Sequence, residues 1–236
     1  MSVIPKVFTE EDRETWRAIL HAQKQTRDQQ VCDLFLEGVE ILGLREDHFP
    51  VLEETNQILR RLTNFEGVLV EGLEEGAQFY NLLKHRQFPV GNFIRNRQDL
   101  SYTPAPDIVH DLYGHLPFFT DKTYADFCQE FGAIAMSFAD RPELLNQFER
   151  FFWFTIEFGL IQTPQGRRIF GAGIASSIGE CQFALSDQVE VVPFSVAAVC
   201  DQDFRIDQIQ KKLFCLTSPQ QLYDSLDELR RRVQNL

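Results

Sequence analysis

The sequence predicts a mainly α protein, a single domain over residues 1–236 built of packed helices with a few short β-strands near one candidate site. Three observations lead there. Most segments repeat apolar residues at helical spacing. The stretches that read as extended are short and fall beside a cluster of metal-ligating residue types. No internal repeat or low-complexity linker divides the 236 residues, a length that suits one sizeable core.

The elements follow in order. Thr9-Glu-Glu-Asp12 resembles a capping box with Asp in place of Glu, and it opens a helix carrying Trp16, Ile19 and Leu20. A second helix runs through Val31, Leu34, Phe35, Val39 and Leu42, with Gly43 as its stop. Pro50 is placed in the first turn of a third, which carries Leu52, Ile58, Leu59 and Leu62. Phe65 to Val70 reads as a short strand. Gly72 and Gly76 bracket a turn before a helix from Ala77 to His85, and Phe88 to Ile94 is extended. Helices are expected near Asp107–Tyr113, Tyr124–Ala139, Glu143–Gly159 and Ser176–Leu185. Phe204 to Leu216 reads as extended, pairing as a hairpin with another short strand. Ser218-Pro219 supplies the N-cap and N1 pair of the last helix.

Lys and Arg total 23 against 35 Asp and Glu, a formal net charge of -12. That balance disfavours nucleic acid and anionic membrane as partners. The one basic cluster, Arg230-Arg231-Arg232, fits a solvated terminal helix better than a phosphate site. Five cysteines (Cys32, Cys128, Cys181, Cys200 and Cys215) are odd in number and widely spaced. They read as buried fillers in a reducing compartment rather than as a disulfide framework or a zinc site. The N-terminus shows no secretory signal, and the apolar Val191–Cys200 stretch is too short to span a bilayer. A soluble, cytoplasmic protein without a nucleic-acid or membrane partner is expected.

The chemistry concentrates at His110, His115 and Glu157. Two imidazoles and one carboxylate can hold a divalent metal on one face and leave the other open, as in non-haem iron(II) oxygenases and some zinc hydrolases. On a regular helix i and i+5 point roughly 140° apart, so the helix must end, kink or widen between the histidines. Gly114, free in its backbone angles, is suited to that. Glu157 sits among Trp153, Phe154, Ile156 and Phe158, where a lone carboxylate is costly unless paired. A metal would pair it; so would an arginine, with both histidines as polar core residues. As a zinc hydrolase the site fits poorly, because Asp111 takes the place of the HExxH glutamate and the second histidine comes one residue late.

Three motifs then stand out in order. Residues 102–119 (YTPAPDIVHDLYGHLPFF), 153–160 (WFTIEFGL) and 170–180 (FGAGIASSIGE) closely resemble those of the tetrahydropterin-dependent aromatic amino acid hydroxylases, and the likeness spans nearly the whole chain. The resemblance implies that family's catalytic-domain fold, with short strands near the iron site. It implies Fe(II) held by His110, His115 and Glu157, and a reduced pterin such as tetrahydrobiopterin. The reaction it implies takes O2 and yields a ring-hydroxylated amino acid and a 4a-hydroxypterin. It also implies a pterin site with Phe79 stacking on the ring, Gly72 and Leu73 facing it, and Asp111 and Phe152 nearby. On the substrate side, Arg95 matches the arginine that pairs with the amino acid's carboxylate and Asp107 the acid that orients it. Thr103 and Ser176 match hydroxyls near the substrate's backbone groups, and Ser176 could also orient a histidine ligand. Pro106, Trp153 and Phe158 match pocket walls, where aromatic faces suit an aromatic substrate. Structural alternatives stand beside these: a core role for Phe79, a helix-terminal role for Asp107, simple caps for Thr103 and Ser176.

The chain departs from the animal enzymes at Asp111 (Glu there), Phe152 (Tyr) and Pro89 (His). Those changes bear on pterin preference and coupling rather than on the metal. Room for neither a regulatory domain nor a tetramerisation helix remains, so the chain resembles the compact bacterial type and a monomer is expected. Within the family, Trp153 favours phenylalanine or tyrosine as substrate, and Ile206, aligned with a pocket residue that is Asp in tyrosine enzymes, disfavours tyrosine. Phenylalanine is therefore the expected substrate, with tryptophan or mixed specificity as the alternative, since apolar pockets separate such rings by only a few kcal/mol.

Overall fold

The computed structural model describes residues 3–72, 76–97, 106–206 and 208–236. Its first helix, α1 (Glu10–Lys24), starts at the expected box. The Thr9 hydroxyl accepts from the Asp12 N–H at 3.2 Å, and the Asp12 carboxylate accepts from the Thr9 N–H at 2.8 Å. Trp16, Ile19 and Leu20 are buried on its inner face. A short α2 (Arg27–Gln30) follows, then α3 (Asp33–Ile41), after which Gly43 takes the left-handed φ of 63° that suits a stop. Helix α4 (Leu52–Thr63) corrects one expectation: Val51, in an extended conformation, is its N-cap, so Pro50 lies before the helix and not in its first turn.

Strands β1 (Glu66–Val70) and β2 (Gln87–Gly91) pair in parallel through α5 (Gly76–Lys84). The Asn56 side chain bonds both backbone groups of Gly67, at 2.9 and 2.7 Å, and ties α4 to β1. The expected helix near Asp107–Tyr113 is a π-helix, Val109–His115, running into a 3-10 turn at Leu116–Thr120. Helix α6 (Lys122–Met136) follows. The expected Glu143–Gly159 helix is two conformations end to end, α7 (Pro142–Phe152) and a second π-helix, Trp153–Glu157.

An unforeseen hairpin comes next, β3 (Leu160–Thr163) and β4 (Gly166–Ile169), turning at Gly166 with a φ of 109°. The helix expected over Ser176–Leu185 is α9 (Ile178–Ala184), and an unforeseen short helix, α8 (Ala172–Ala175), precedes it. The Ser177 hydroxyl accepts from the Glu180 N–H and caps α9. The Val191–Cys200 stretch divides into β5 (Glu190–Pro193) and α10 (Val196–Cys200), and among the described residues no helix is long and apolar enough to cross a membrane.

Phe204 to Leu216 is not a hairpin. Only β6 (Lys212–Leu216) is a strand, and it runs parallel to both β3 and β5 in a sheet ordered β4-β3-β6-β5. The chain ends in α11 (Pro219–Tyr223), capped by Ser218, and α12 (Leu226–Gln234). All five cysteines are free thiols. Buried apolar side chains from Trp16 to Val233 form one cluster rich in phenylalanine.

Candidate metal centre and its cavity

The two π-helices answer the spacing problem. A π-turn closes on the fifth residue rather than the fourth, so His110 and His115 come round to the same side of Val109–His115. Their Nε2 atoms lie 3.3 Å apart. Glu157, last residue of the other π-helix, brings Oε1 to 3.0 Å from His115 Nε2 and Oε2 to 3.6 Å from His110 Nε2. Gly114 contributes differently from expectation. Its φ is not positive; what it provides is closeness, since a Cβ there would meet the Ala172 carbonyl oxygen at 2.9 Å and Ser176 Cβ at 3.0 Å.

These distances test whether a metal fits. An ion about 2.1 Å from three ligand atoms at right angles separates them by about 3.0 Å. The observed separations of 3.3, 3.0 and 3.6 Å surround such a point. No arginine pairs with Glu157 among the described residues; the two histidines do. Electrostatics agree. Burial alone would raise the Glu157 carboxyl, but the His115 and His110 charges outweigh it and hold the group well below the usual range. Burial opposes charge on His110, yet Glu157, Asp111 and Asp107 together push it up to about 9, while burial lowers His115. A carboxylate held ionised between two imidazoles is a donor set that a divalent ion would complete.

The surroundings fix each ligand. His115 is fully buried, its ring stacked on Phe88 at 4.4 Å. The Ser176 hydroxyl lies 3.4 Å from His110 Nδ1 and donates to the Gly173 carbonyl at 3.0 Å. Asp107 has both roles weighed for it. Its carboxylate accepts from Arg95 Nε at 2.9 Å and Nη2 at 2.8 Å, and also from the His110 backbone N–H at 3.0 Å. One acid thus holds the arginine and the start of the histidine helix. Asp111 accepts from the Gly91 N–H at 2.7 Å, and burial pushes its carboxyl up to about 7. That bond turns it toward β2, an orientation unlike a base aimed at a metal-bound water.

The metal set opens into a cavity of about 380 Å³. Gly72, Phe79, Pro106, Asp111, Phe152, Trp153 and Ile206 line it, as the sequence suggests. Phe79 meets Phe152 edge-on at 5.0 Å, and Trp153 packs on Phe158 at 4.6 Å. Ile206 is 63% exposed, so it stands at the rim and not deep in the pocket. Arg95, Asp107, Phe158 and Ser176 are not among the described lining residues but join the site through their contacts: Arg95 with Asp107, Asp107 and Ser176 with His110, and Phe158 with Trp153. Leu73 and Thr103 lie outside the described residues. Sequence reasoning missed Phe204, stacked on Trp153 at 4.4 Å, and Glu149. Phe204 follows no local pattern. Glu149 had a signal: it stands three residues before Phe152 and four before Trp153, on one helix face.

Two imidazoles and a carboxylate converging at the floor of an aromatic cavity define a non-haem metal centre with an open face. The chain belongs to the biopterin-dependent aromatic amino acid hydroxylases, whose family model matches residues 2–236. It is 36% identical over 219 residues to the phenylalanine-4-hydroxylase of Ralstonia nicotianae, covering 92% of this chain and 70% of that one. Cobalt-bound phenylalanine hydroxylase of Chromobacterium violaceum superposes with a TM-score of 0.91 at 33% identity, covering 100% of this chain and 87% of the other. The same enzyme with bound iron(III) and 7,8-dihydrobiopterin matches at 0.90 and 34% identity, covering 97% and 84%.

Proposed function

We propose that this chain is an iron(II)- and tetrahydropterin-dependent monooxygenase that hydroxylates phenylalanine to tyrosine. The observation that carries the reading is the His110, His115 and Glu157 set, spaced for one ion, at the floor of a cavity walled by aromatic rings. Its relatives' activity supports the substrate.

Each residue then has a task. His110, His115 and Glu157 hold the iron. Bound there, iron with the reduced pterin supplies the activation of O2, one oxygen atom going to the ring and the other to the pterin. Phe79 offers its face to the pterin, Gly72 and Leu73 their backbone, with Asp111 and Phe152 beside them. Arg95 pairs with the amino acid's carboxylate through the part of its fork that Asp107 leaves open. Pro106, Trp153 and Phe158 shape the ring pocket, and Thr103, Ser176 and Ile206 complete the substrate side. Aromatic walls bind the ring through edge and offset contacts and exclude water from the reacting face. We further propose that residues 1–236 act as a single catalytic domain, as a monomer in the cytoplasm.

The test is a competition assay. Protein reconstituted with iron(II) receives tetrahydropterin, O2 and equal phenylalanine, tyrosine and tryptophan, and products are read by mass spectrometry beside a control without pterin. Pterin-dependent tyrosine formed from phenylalanine is expected. Dominant 5-hydroxytryptophan would replace the substrate, and zinc-supported activity without oxygen would replace the reaction.

A further inference from the structure

Glu149 is the one acidic lining residue of the cavity that the metal site and the motifs leave without a task among the described residues. It lies on α7, eight residues before Glu157, roughly 12 Å of helical rise away from the metal ligand. Its neighbours fix which end of the cavity it serves. Phe152 is one turn further along the same helix face and touches Phe79 edge-on at 5.0 Å. Tyr80, next to Phe79, lines the same end. Burial drives the Tyr80 phenol upward, and the Glu149 charge adds to that shift, so the carboxylate stands near this corner.

A charged carboxylate under the flat face of an aromatic heterocycle would lose its water without return. Glu149 is half-buried, so it lines the cavity while keeping some contact with solvent. The ring end of a pterin suits the apolar Phe79–Phe152 interior. The hydroxylated three-carbon substituent of a biopterin is its hydrophilic end and suits a half-buried carboxylate, whose two oxygens have several acceptor sites to offer hydroxyl donors. We propose that Glu149 accepts hydrogen bonds from the hydroxyl groups on the pterin's substituent, and so selects a hydroxylated pterin over one with a plain alkyl group. The inference rests on the pterin-dependent reading of the cavity given above.

The experiment uses the iron-loaded full chain and two oxidised, non-reacting pterins, 7,8-dihydrobiopterin and 6-methyl-7,8-dihydropterin. Their affinities are measured by calorimetry for the wild type, Glu149→Ala and Glu149→Gln, with iron content and melting temperature as controls on folding. The wild type is expected to prefer dihydrobiopterin. In Glu149→Ala that preference ratio should fall about tenfold, the loss of one or two charge-assisted bonds, with Glu149→Gln in between because its amide oxygen still accepts. Equal weakening toward both pterins would place Glu149 against the ring edge and overturn the proposal, as would an unchanged ratio. A wild type that binds neither pterin would instead remove the pterin reading of the cavity itself.

Discussion

A residue with no side chain lies hard against the carboxylate ligand of the metal centre. Helix α8 crosses the ligand set so tightly that a Cβ on Gly173 would lie 2.7 Å from Glu157 Oε2 and 3.1 Å from the Glu157 carbonyl oxygen. Non-bonded heavy atoms rest about 3.5 Å apart, so Gly173→Ala requires the carboxylate to retreat by about 0.8 Å. Metal–ligand distances tolerate about 0.2 Å. The nearer oxygen is the free end of a rotatable side chain and the carbonyl oxygen at 3.1 Å need give by only about 0.4 Å, so most of the change falls on the carboxylate, and alanine is up to about 1 kcal/mol better than glycine in a helix. The substitution therefore separates metal affinity from stability. Iron(II) affinity, measured anaerobically by competition with a chelator, should fall about 10- to 100-fold, or about 1.4–2.7 kcal/mol. The melting temperature of the metal-free protein should stay level or rise. Wild-type iron affinity in Gly173→Ala would refute the placement of Glu157 as a ligand held by this contact.

Further outcomes follow from the same geometry. His115→Ala or Glu157→Ala should abolish iron retention and product together; full turnover by an iron-stripped variant would remove the metal assignment. Arg95→Lys keeps the charge but not the fork that Asp107 grips at 2.9 and 2.8 Å. It should raise KM for the amino acid with little change in kcat, and cost about 1.5–3 kcal/mol in urea unfolding through the lost bond to a buried carboxylate. Thr9→Ala should cost about 1 kcal/mol through loss of the α1 cap. Burial opposes it, but the Thr9 hydrogen bonds prevail and lower the Asp12 carboxyl below its unfolded value of about 3.9, so the stability it adds is present above that pH and is lost as pH falls through the folded value. That acid-side loss should be smaller in Thr9→Ala, and an identical pH profile of unfolding would contradict the cap's role. Hydrogen exchange across Val109–His115 should slow on iron binding, because the ion ties both ends of that π-helix to Glu157; unchanged exchange would mean the segment is fixed without it.

What the sequence revealed was local chemistry with a fixed period. The Thr9–Asp12 box, the Gly43 stop and the Ser218 cap each depend on neighbours within a turn, and each stands where expected. The metal set was legible for the same reason, since an apolar-embedded Glu157 needs a partner whatever the fold. Elements whose pairing is distant were not legible. β6 reads as half of a hairpin because nothing nearby shows that its partners, β3 and β5, lie parallel to it. The four-residue α8 was not expected because Ala172–Ala175 is too short to show a helical period, whereas α9, capped by Ser177, falls where the sequence places it. Phe204 was missed because its stacking on Trp153 joins residues far apart in the chain. The i, i+5 spacing exposed a conflict with a regular helix without choosing among its remedies.

The remedy adopted carries a physical consequence. A π-turn holds one residue more than an α-turn, and it is rare because its geometry is poorer for the backbone. Among the described residues it occurs twice, each time holding a ligand, at Val109–His115 and Trp153–Glu157. Ending the helix between the histidines would also have brought them together, but on a loop whose position is less well fixed. Widening keeps both residues on a hydrogen-bonded element and leaves His115 sealed at 0% exposure against Phe88. The second widening sets Glu157 at the end of the π-helix that directly continues α7, the helix that presents Glu149 and Phe152 to the cavity. The ligand and the pocket wall therefore move as one body, which ties the position of the metal to the position of whatever the cavity holds.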